Sequence, residues 1–466
     1  MQRILRPALL LILCAVVGLI AADGIDVGVS SGGQPDVFGI PIEFILFAVT
    51  LLGVALFHHH TLAVALTGLT AVTLYKLGFT TFTGHHLPGL SGLGQHLAHE
   101  WVTLANLLGL LLGFDILAHH FSSSRVPAIL PRFLPSGRWG AFALLVLVFV
   151  LSAFLDNIAA AMIGGTVAAT VFKGKVHVGY LAAIVAASNA GGSGSVVGDT
   201  TTTMMWIDGI APSDVLHAYV AAGVALLIVG AVAANQQHRH HPISADADPS
   251  VRIDGARVAV VAIILASAIA ANVVINVHFN ALADRFPWIG AAVWLAILIT
   301  APLRQPHWSA VPTAAKGAAF LLSLVLSASM MPVEQLPAPS WQTAFGLGFV
   351  SAVFDNIPLT KLALTQGGYD WGVLAYCVGF GGSMLWFGSS AGVALANAFS
   401  PAKSVVNWVR HGWHVMVAYV VGFAVMLLVL GWHPHPTHKG ASAAPGAAHP
   451  AADAAPTSAP AAMPAP

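Results

Sequence analysis

Charge is what this sequence has least of. Lys, Arg, Asp and Glu together make up 8% of its 466 residues, where an ordinary soluble domain carries about a quarter. With 57% hydrophobic residues and a mean hydropathy of +0.82, that scarcity excludes a soluble globular protein and leaves an all-α polytopic membrane protein. The few charges balance, 18 basic against 18 acidic, so no basic field exists to hold nucleic acid. Cysteine is nearly absent as well. Cys14 and Cys377 both lie in apolar runs without C-x-x-C spacing, which excludes a disulfide framework and a thiolate zinc site and leaves two inert packing residues. Histidine is the plentiful titratable residue, with 22 copies in the tail and in connections such as His58, His59, His60, His85, His86, His119, His120, His238, His240 and His241. These read as solvated loop residues, with pH sensing or loose metal binding as the alternative.

What interrupts the apolar runs carries the information. After residues 180–187 comes Ser188-Asn189-Ala190-Gly191-Gly192-Ser193-Gly194-Ser195-Val196-Val197-Gly198-Asp199-Thr200-Thr201-Thr202-Thr203-Met204-Met205-Trp206. In lipid such a stretch is not expected to stay helical throughout, and its freed backbone groups need partners inside the protein or in a watery cavity. That describes an ion site. A weaker copy lies at 380–392, where Gly381, Gly382, Ser383 and Gly388 match Gly191, Gly192, Ser193 and Gly198. Upstream of each stands a second matched pair, Ser152-Ala153-Phe154-Leu155-Asp156-Asn157-Ile158 and Ser351-Ala352-Val353-Phe354-Asp355-Asn356-Ile357. Two motifs in the same order argue for an internal duplication, the construction of many secondary transporters.

The chain divides accordingly. Residues 1–38 are a signal-like segment or first helix plus a polar loop at 23–38; Arg3 and Arg6 precede the apolar run, and the signal-like reading is preferred. Membrane repeat 1 occupies 39–234, a polar linker 235–257, and membrane repeat 2 258–432. The Ala/Pro/His-rich tail, 433–466, is expected to be disordered. The apolar runs make about 11–13 membrane segments, the last at 413–432 with Trp413 and Trp432 at its interfaces. Residues 79–100 read as a connection, and 121–138, with Arg125, Arg132 and Arg138, as a cytoplasmic one. Residues 140–172 would make about 50 Å of helix against about 30 Å of hydrocarbon. A break is expected at Asp156-Asn157.

Asp156, Asp199 and Asp355 are the carboxylates that hydropathy places within the membrane, where an ionisable side chain marks a functional site by default. Asn157, Thr200 to Thr203 and Asn356 stand beside them and supply the oxygen ligands that hard cations such as sodium take. Desolvation disfavours an ionised carboxylate and a bound cation restores it, so proton and cation compete for the same oxygens. That competition suffices for coupled exchange. Structural readings stand beside this one: Asp-Asn as a helix N-cap, and Gly-Gly-Ser as close packing by small residues. Lys361 either compensates Asp355 or snorkels to an interface, the second being preferred. Asp115 pairs with a nearby histidine or sits at a helix end.

On Ser188 to Gly192, Gly198-Asp199, Thr201 to Trp206, both Asp-Asn motifs and 381–392, the chain resembles the NhaD-type sodium/proton antiporters of the ion transporter superfamily, which also holds arsenite and citrate or dicarboxylate carriers. The resemblance implies two inverted structural repeats with broken helices and re-entrant hairpins. It implies exchange of cytoplasmic sodium or lithium for external protons across the inner (plasma) membrane by a homodimer, with no enzymatic activity and no resident cofactor. Its polar positions fall here on Asp156, Asn157, Asn189, Asp199, Thr201, Thr202, Asp355, Asn356, Ser389 and Ser390. Ala159 and Ala160 depart from it, as does Ser193-Gly194 in place of a bulkier pair, which leaves ion preference and pH profile open. The competing reading is a sodium- or proton-coupled carrier of citrate or another small carboxylate, held at helix N-termini. Three intramembrane carboxylates with little fixed positive charge favour the cation.

Overall fold

The computed structural model describes residues 27–29, 35–37, 40–57, 60–82, 88–195, 197–243 and 252–435. The expectations for 1–22 and for nearly all of the tail lie outside them. The described chain is an all-α polytopic membrane protein. Six of its helical stretches are long and apolar enough to cross a bilayer, and shorter apolar helices lie between them. Within the expected loop at 23–38 the described residues form short antiparallel strands, Val27–Val29 against Pro35–Val37 and the latter against Ile40–Pro41.

Helices α1 (Ile42–Leu56) and α2 (Thr61–Phe79) form an apolar hairpin. Inside it Lys76 Nζ lies 3.7 Å from Glu43 Oε1, both side chains almost wholly buried, so two charges that water cannot reach neutralise each other. Helix α3 (Gly89–Ser123) starts within the segment expected to be a connection. At 1.5 Å per residue it is about 52 Å long. Gly92, His96 and Glu100 are buried along its first turns, so packing against neighbours holds a stretch whose composition alone reads as a loop.

The stretch 140–172 breaks where its length required. Helix α4 (Arg138–Ser152) ends in a turn, and α5 (Asn157–Val171) returns alongside it. Helix α6 (Val178–Ser193) is followed by a non-helical gap and the short α7 (Thr200–Ile207). Then come α8 (Ala218–His240), which runs into the expected linker, α9 (Gly255–Val273), α10 (Trp288–Thr300) and α11 (Val311–Ser329). Helix α12 (Trp341–Val353) turns into α13 (Asn356–Gln366), and α14 (Trp371–Gly381) breaks before α15 (Ser390–Ala398). The last helix, α16 (Val405–Leu430), begins eight residues before the expected span, so Trp413 sits inside it, half exposed on its flank.

Helix α16 fixes direction. Near its N-terminal end the Gln236 amide of α8 donates to the His411 carbonyl at 3.0 Å. At the same end Gln237 accepts from His177 N at 2.8 Å and donates to Lys175 O at 3.0 Å, which ties down the α5–α6 connection. Beyond the C-terminal end of α16, His435 N donates to Tyr369 O and Trp371 Nε1 to His435 O, both at 3.0 Å, which ties down the α13–α14 connection. The α4–α5 hairpin therefore enters from one end of α16 and the α12–α13 hairpin from the other. The first end is basic, with Arg125, Arg132, Lys173, Lys175, Arg252, Arg304 and Lys403 in its connections. Among the described residues the connections at the second end carry Arg285.

Candidate functional site

Each hairpin turns on an acidic cap. Asp156 Oδ2 accepts from Ile158 N at 3.1 Å and Asp355 Oδ1 from Ile357 N at 3.0 Å, satisfying one of the donors that a helix start leaves bare. The capping reading holds at both positions. Both caps lie at the inner tips of hairpins, deep in the molecule, where a helix end meets protein and cavity instead of bulk water.

The broken helices end in the same way twice. Asp199 Oδ1 caps α7 through Thr201 N at 3.4 Å, and Ser389 Oγ caps α15 through Gly392 N at 3.3 Å. The glycines are close-packing residues, as their alternative reading had it. A Cβ on Gly191 would collide with the Phe149 carbonyl, and one on Gly381 with that of Gly348. A Cβ on Gly198 would meet Ser152 O, and one on Gly388 would meet Ala352 O. In both copies the broken helix thus lies directly on the first helix of the hairpin. As expected, the stretch does not stay helical throughout: the chain is helical through Asn189 to Ser193, unwinds, and resumes as a helix at Thr200. Backbone contact leaves no room for side chains there, and glycine is tolerated in a helix wherever packing compensates its entropy.

Amides and hydroxyls join the two breaks. Asn157 Nδ2 donates to Asn189 Oδ1 at 3.0 Å, and Asn189 Nδ2 donates to Ser383 Oγ at 2.9 Å and Ser389 Oγ at 3.1 Å. Asn356 Nδ2 reaches Asp199 Oδ2 at 3.4 Å, and Ser390 Oγ donates to Asp355 Oδ2 at 3.2 Å. Each hairpin tip is therefore bonded to a broken helix, and the Asn356 bond crosses 157 residues of chain.

A cavity of about 540 Å³ opens beside this network. Asp156, Asn157, Asp199, Asn356 and Ser390 line it, together with Thr200, Thr203 and, farther out, Asp115 and His119. Its outer wall includes Ser122 and Pro127, at the basic end of the molecule. Asn189, Thr201, Thr202 and Ser389 are buried behind the wall, and Asp355 is reached through Ser390. Among the described residues no Lys or Arg lines the cavity. Carboxylate, amide and hydroxyl oxygens on one wall make a donor set suited to a hard, weakly charged cation.

Some residues escaped sequence reasoning. Ser383, the hydroxyl partner of Asn189, was signalled by its match to Ser193. Lys361 neither compensates Asp355 nor snorkels: its Nζ lies 2.8 Å from Glu100 Oε2 and 3.0 Å from Oε1, with both side chains buried. Opposite intramembrane charges were the available hint, though 261 positions separate them. Asp115 is within α3 rather than at its end, and its Oδ2 lies 3.5 Å from His119 Nδ1.

Over about half its length the chain is similar to known sodium/proton antiporters. Sodium/proton antiporter 1 of Arabidopsis thaliana is 28% identical over 285 residues, which cover 53% of this chain and 48% of that protein. Sodium/proton antiporter 2 of Arabidopsis thaliana is 27% identical over 290 residues, covering 53% of this chain and 66% of that protein. The chain thus spans between about half and two thirds of the length of these curated relatives. No family model matches it.

Proposed function

We propose that this protein exchanges an alkali cation, sodium or lithium, for protons across the cell membrane. The observation that carries the reading is Asp199. It caps a half-helix in the middle of the molecule, is 2% exposed, and faces a cavity that leads to the basic end. On the positive-inside rule that end is cytoplasmic, so the cation reaches Asp199 and Asp156 from the cytoplasm. There the cation and the proton compete for the same oxygens, with Asn157, Thr200 and Asn356 completing the cation's shell.

The opposed hairpins and twice-repeated break are read as inverted repeats, which allow the same site to face either side in turn. The similarity to sodium/proton antiporters and the resemblance to the NhaD type support this reading. A carboxylate carrier is not favoured, since an anion would meet Asp115, Asp156 and Asp199 in a lining without Lys or Arg among the described residues.

The test is proton movement in inverted vesicles, followed with a fluorescent pH probe as sodium, lithium, potassium or citrate is added. Sodium or lithium is expected to drive proton efflux, and proton movement with citrate alone would overturn the reading. Asp199→Asn and Asp156→Asn are each expected to abolish exchange with the protein still inserted. Near-normal sodium activity in both variants would remove the site assignment.

A further inference from the structure

We propose that Asp115, His119 and His307 form an outer recruitment site for a monovalent cation, one that works only while both histidines are neutral. The inference rests on the exchange reading above and adds a place where the cation stops first. A second cavity, about 360 Å³, is lined by Asp115, His119, His307, Ser309, Thr313 and Ala314. It shares Asp115, His119 and Ala314 with the central cavity, so the two meet at the Asp115 carboxylate. His307 is exposed on the α10–α11 connection at the basic end. A cation arriving there passes Asp115 before it reaches Asp156 and Asp199.

The surroundings isolate this carboxylate. His119 Nδ1 is 2.9 Å from the Asp115 carbonyl and 3.5 Å from its Oδ2, and the His119 ring stacks on His307 with centroids 5.2 Å apart and planes at 7°. Helix α11 presents Thr313 and Ala314, and α5 presents Met162 and Thr166. His120 points away to Arg257 Nη1, 3.1 Å from its Nδ1. Arg304 is held by Asp254 at 2.8 Å, and that hydrogen bond keeps the partly exposed Asp254 carboxyl below its usual range. Among the described residues that line the two cavities, the charged or titratable ones are Asp115, the two imidazoles and, farther in, Asp156 and Asp199.

With neutral imidazoles the mouth is anionic and draws a cation in. A proton on either ring cancels the Asp115 charge at contact distance, and a second on a parallel ring this close would be repelled by the first. Recruitment therefore fades once either imidazole carries a proton.

The test uses the same inverted vesicles, whose outer medium bathes the cytoplasmic face, with sodium titrated at pH 6.5 and 8. Asp115→Asn is expected to raise the sodium KM at pH 8 by about tenfold, equivalent to about 1.4 kcal/mol, with a much smaller effect on maximal rate. Asp115→Glu should restore KM. The pair His119→Gln with His307→Gln should flatten the rise in KM on acidification. If Asp115→Asn fails to insert, Asp115→Ser carries the same test.

An unchanged KM in an inserted neutral variant overturns the recruitment site while the exchange reading stands. Complete loss of maximal rate also overturns it, because Asp115 would then belong to the transport site itself. A wild-type protein without sodium-driven proton movement removes the exchange reading and this inference with it.

Discussion

Asn189 is the residue on which the two breaks depend for their mutual position. Its carboxamide accepts from Asn157 and donates to Ser383 and Ser389, and the residue is fully buried. Asn189→Ala strands these three partners, and each buried polar group left unpaired costs about 1–3 kcal/mol. The expected outcome is a clear drop in the apparent Tm of the detergent-solubilised protein, together with weakened exchange. Asn189→Asp, which keeps the acceptor for Asn157, should lose less stability. The Glu100–Lys361 pair makes a different prediction. Removing one partner from a buried ion pair costs about 3–5 kcal/mol because it leaves a bare charge, whereas replacing both is often close to neutral. Lys361→Met should therefore melt earlier than Lys361→Met combined with Glu100→Gln. If the double variant melts as early as the single, the pair is not the source of the loss. Hydropathy made the acidic positions legible, since an aspartate between apolar runs stands out. It could not show that Asn356 bonds to Asp199 or that Lys361 belongs to Glu100, because partner choice across hundreds of residues is a property of packing.

At the scale of the element, the turn at Asp156 was legible because a run of that length cannot cross a bilayer as one helix. The start of α3 was not, because Gly and His in its first turns lower the hydropathy while tertiary packing keeps them helical. The Gly-rich break was legible as a break somewhere within 188–206 but not to the residue, since sequence does not distinguish a glycine that unwinds a helix from one that admits a neighbouring backbone. Within α12 the structure separates a glycine that admits a neighbour from one that does not. Gly348 faces the Tyr419 ring and the Cys377 carbonyl, and a Cβ on the facing Gly381 would collide with Gly348. Gly346, two residues earlier, faces open space. Overpacking costs about 1–3 kcal/mol, so Gly381→Ala should lower the melting temperature and slow exchange. Gly346→Ala should be neutral or slightly stabilising through its gain in helix propensity. Equal melting of the two alanine variants would show that the α12–α14 contact is looser than the geometry requires.

The whole molecule has a polarity that neither the helices nor the site would reveal separately. Basic connections gather at the end from which the α4–α5 hairpin enters, and the central cavity opens toward that same end. The first of these facts was legible in the sequence as the cluster at Arg125, Arg132 and Arg138. The second was not, because it depends on how far the hairpins reach and on which helices fail to close over them. Together they make an accessibility prediction. Thr166 lines the cavity on α5, and Gln335 is exposed in the connection between α11 and α12 at the opposite end. In a background with Cys14 and Cys377 replaced by serine or alanine, Thr166→Cys should react with a membrane-impermeant thiol reagent in inverted vesicles and resist it in right-side-out ones. Gln335→Cys should show the reverse. Labelling of both positions from the same side would break the link between cavity, basic end and cytoplasm on which the direction of exchange rests.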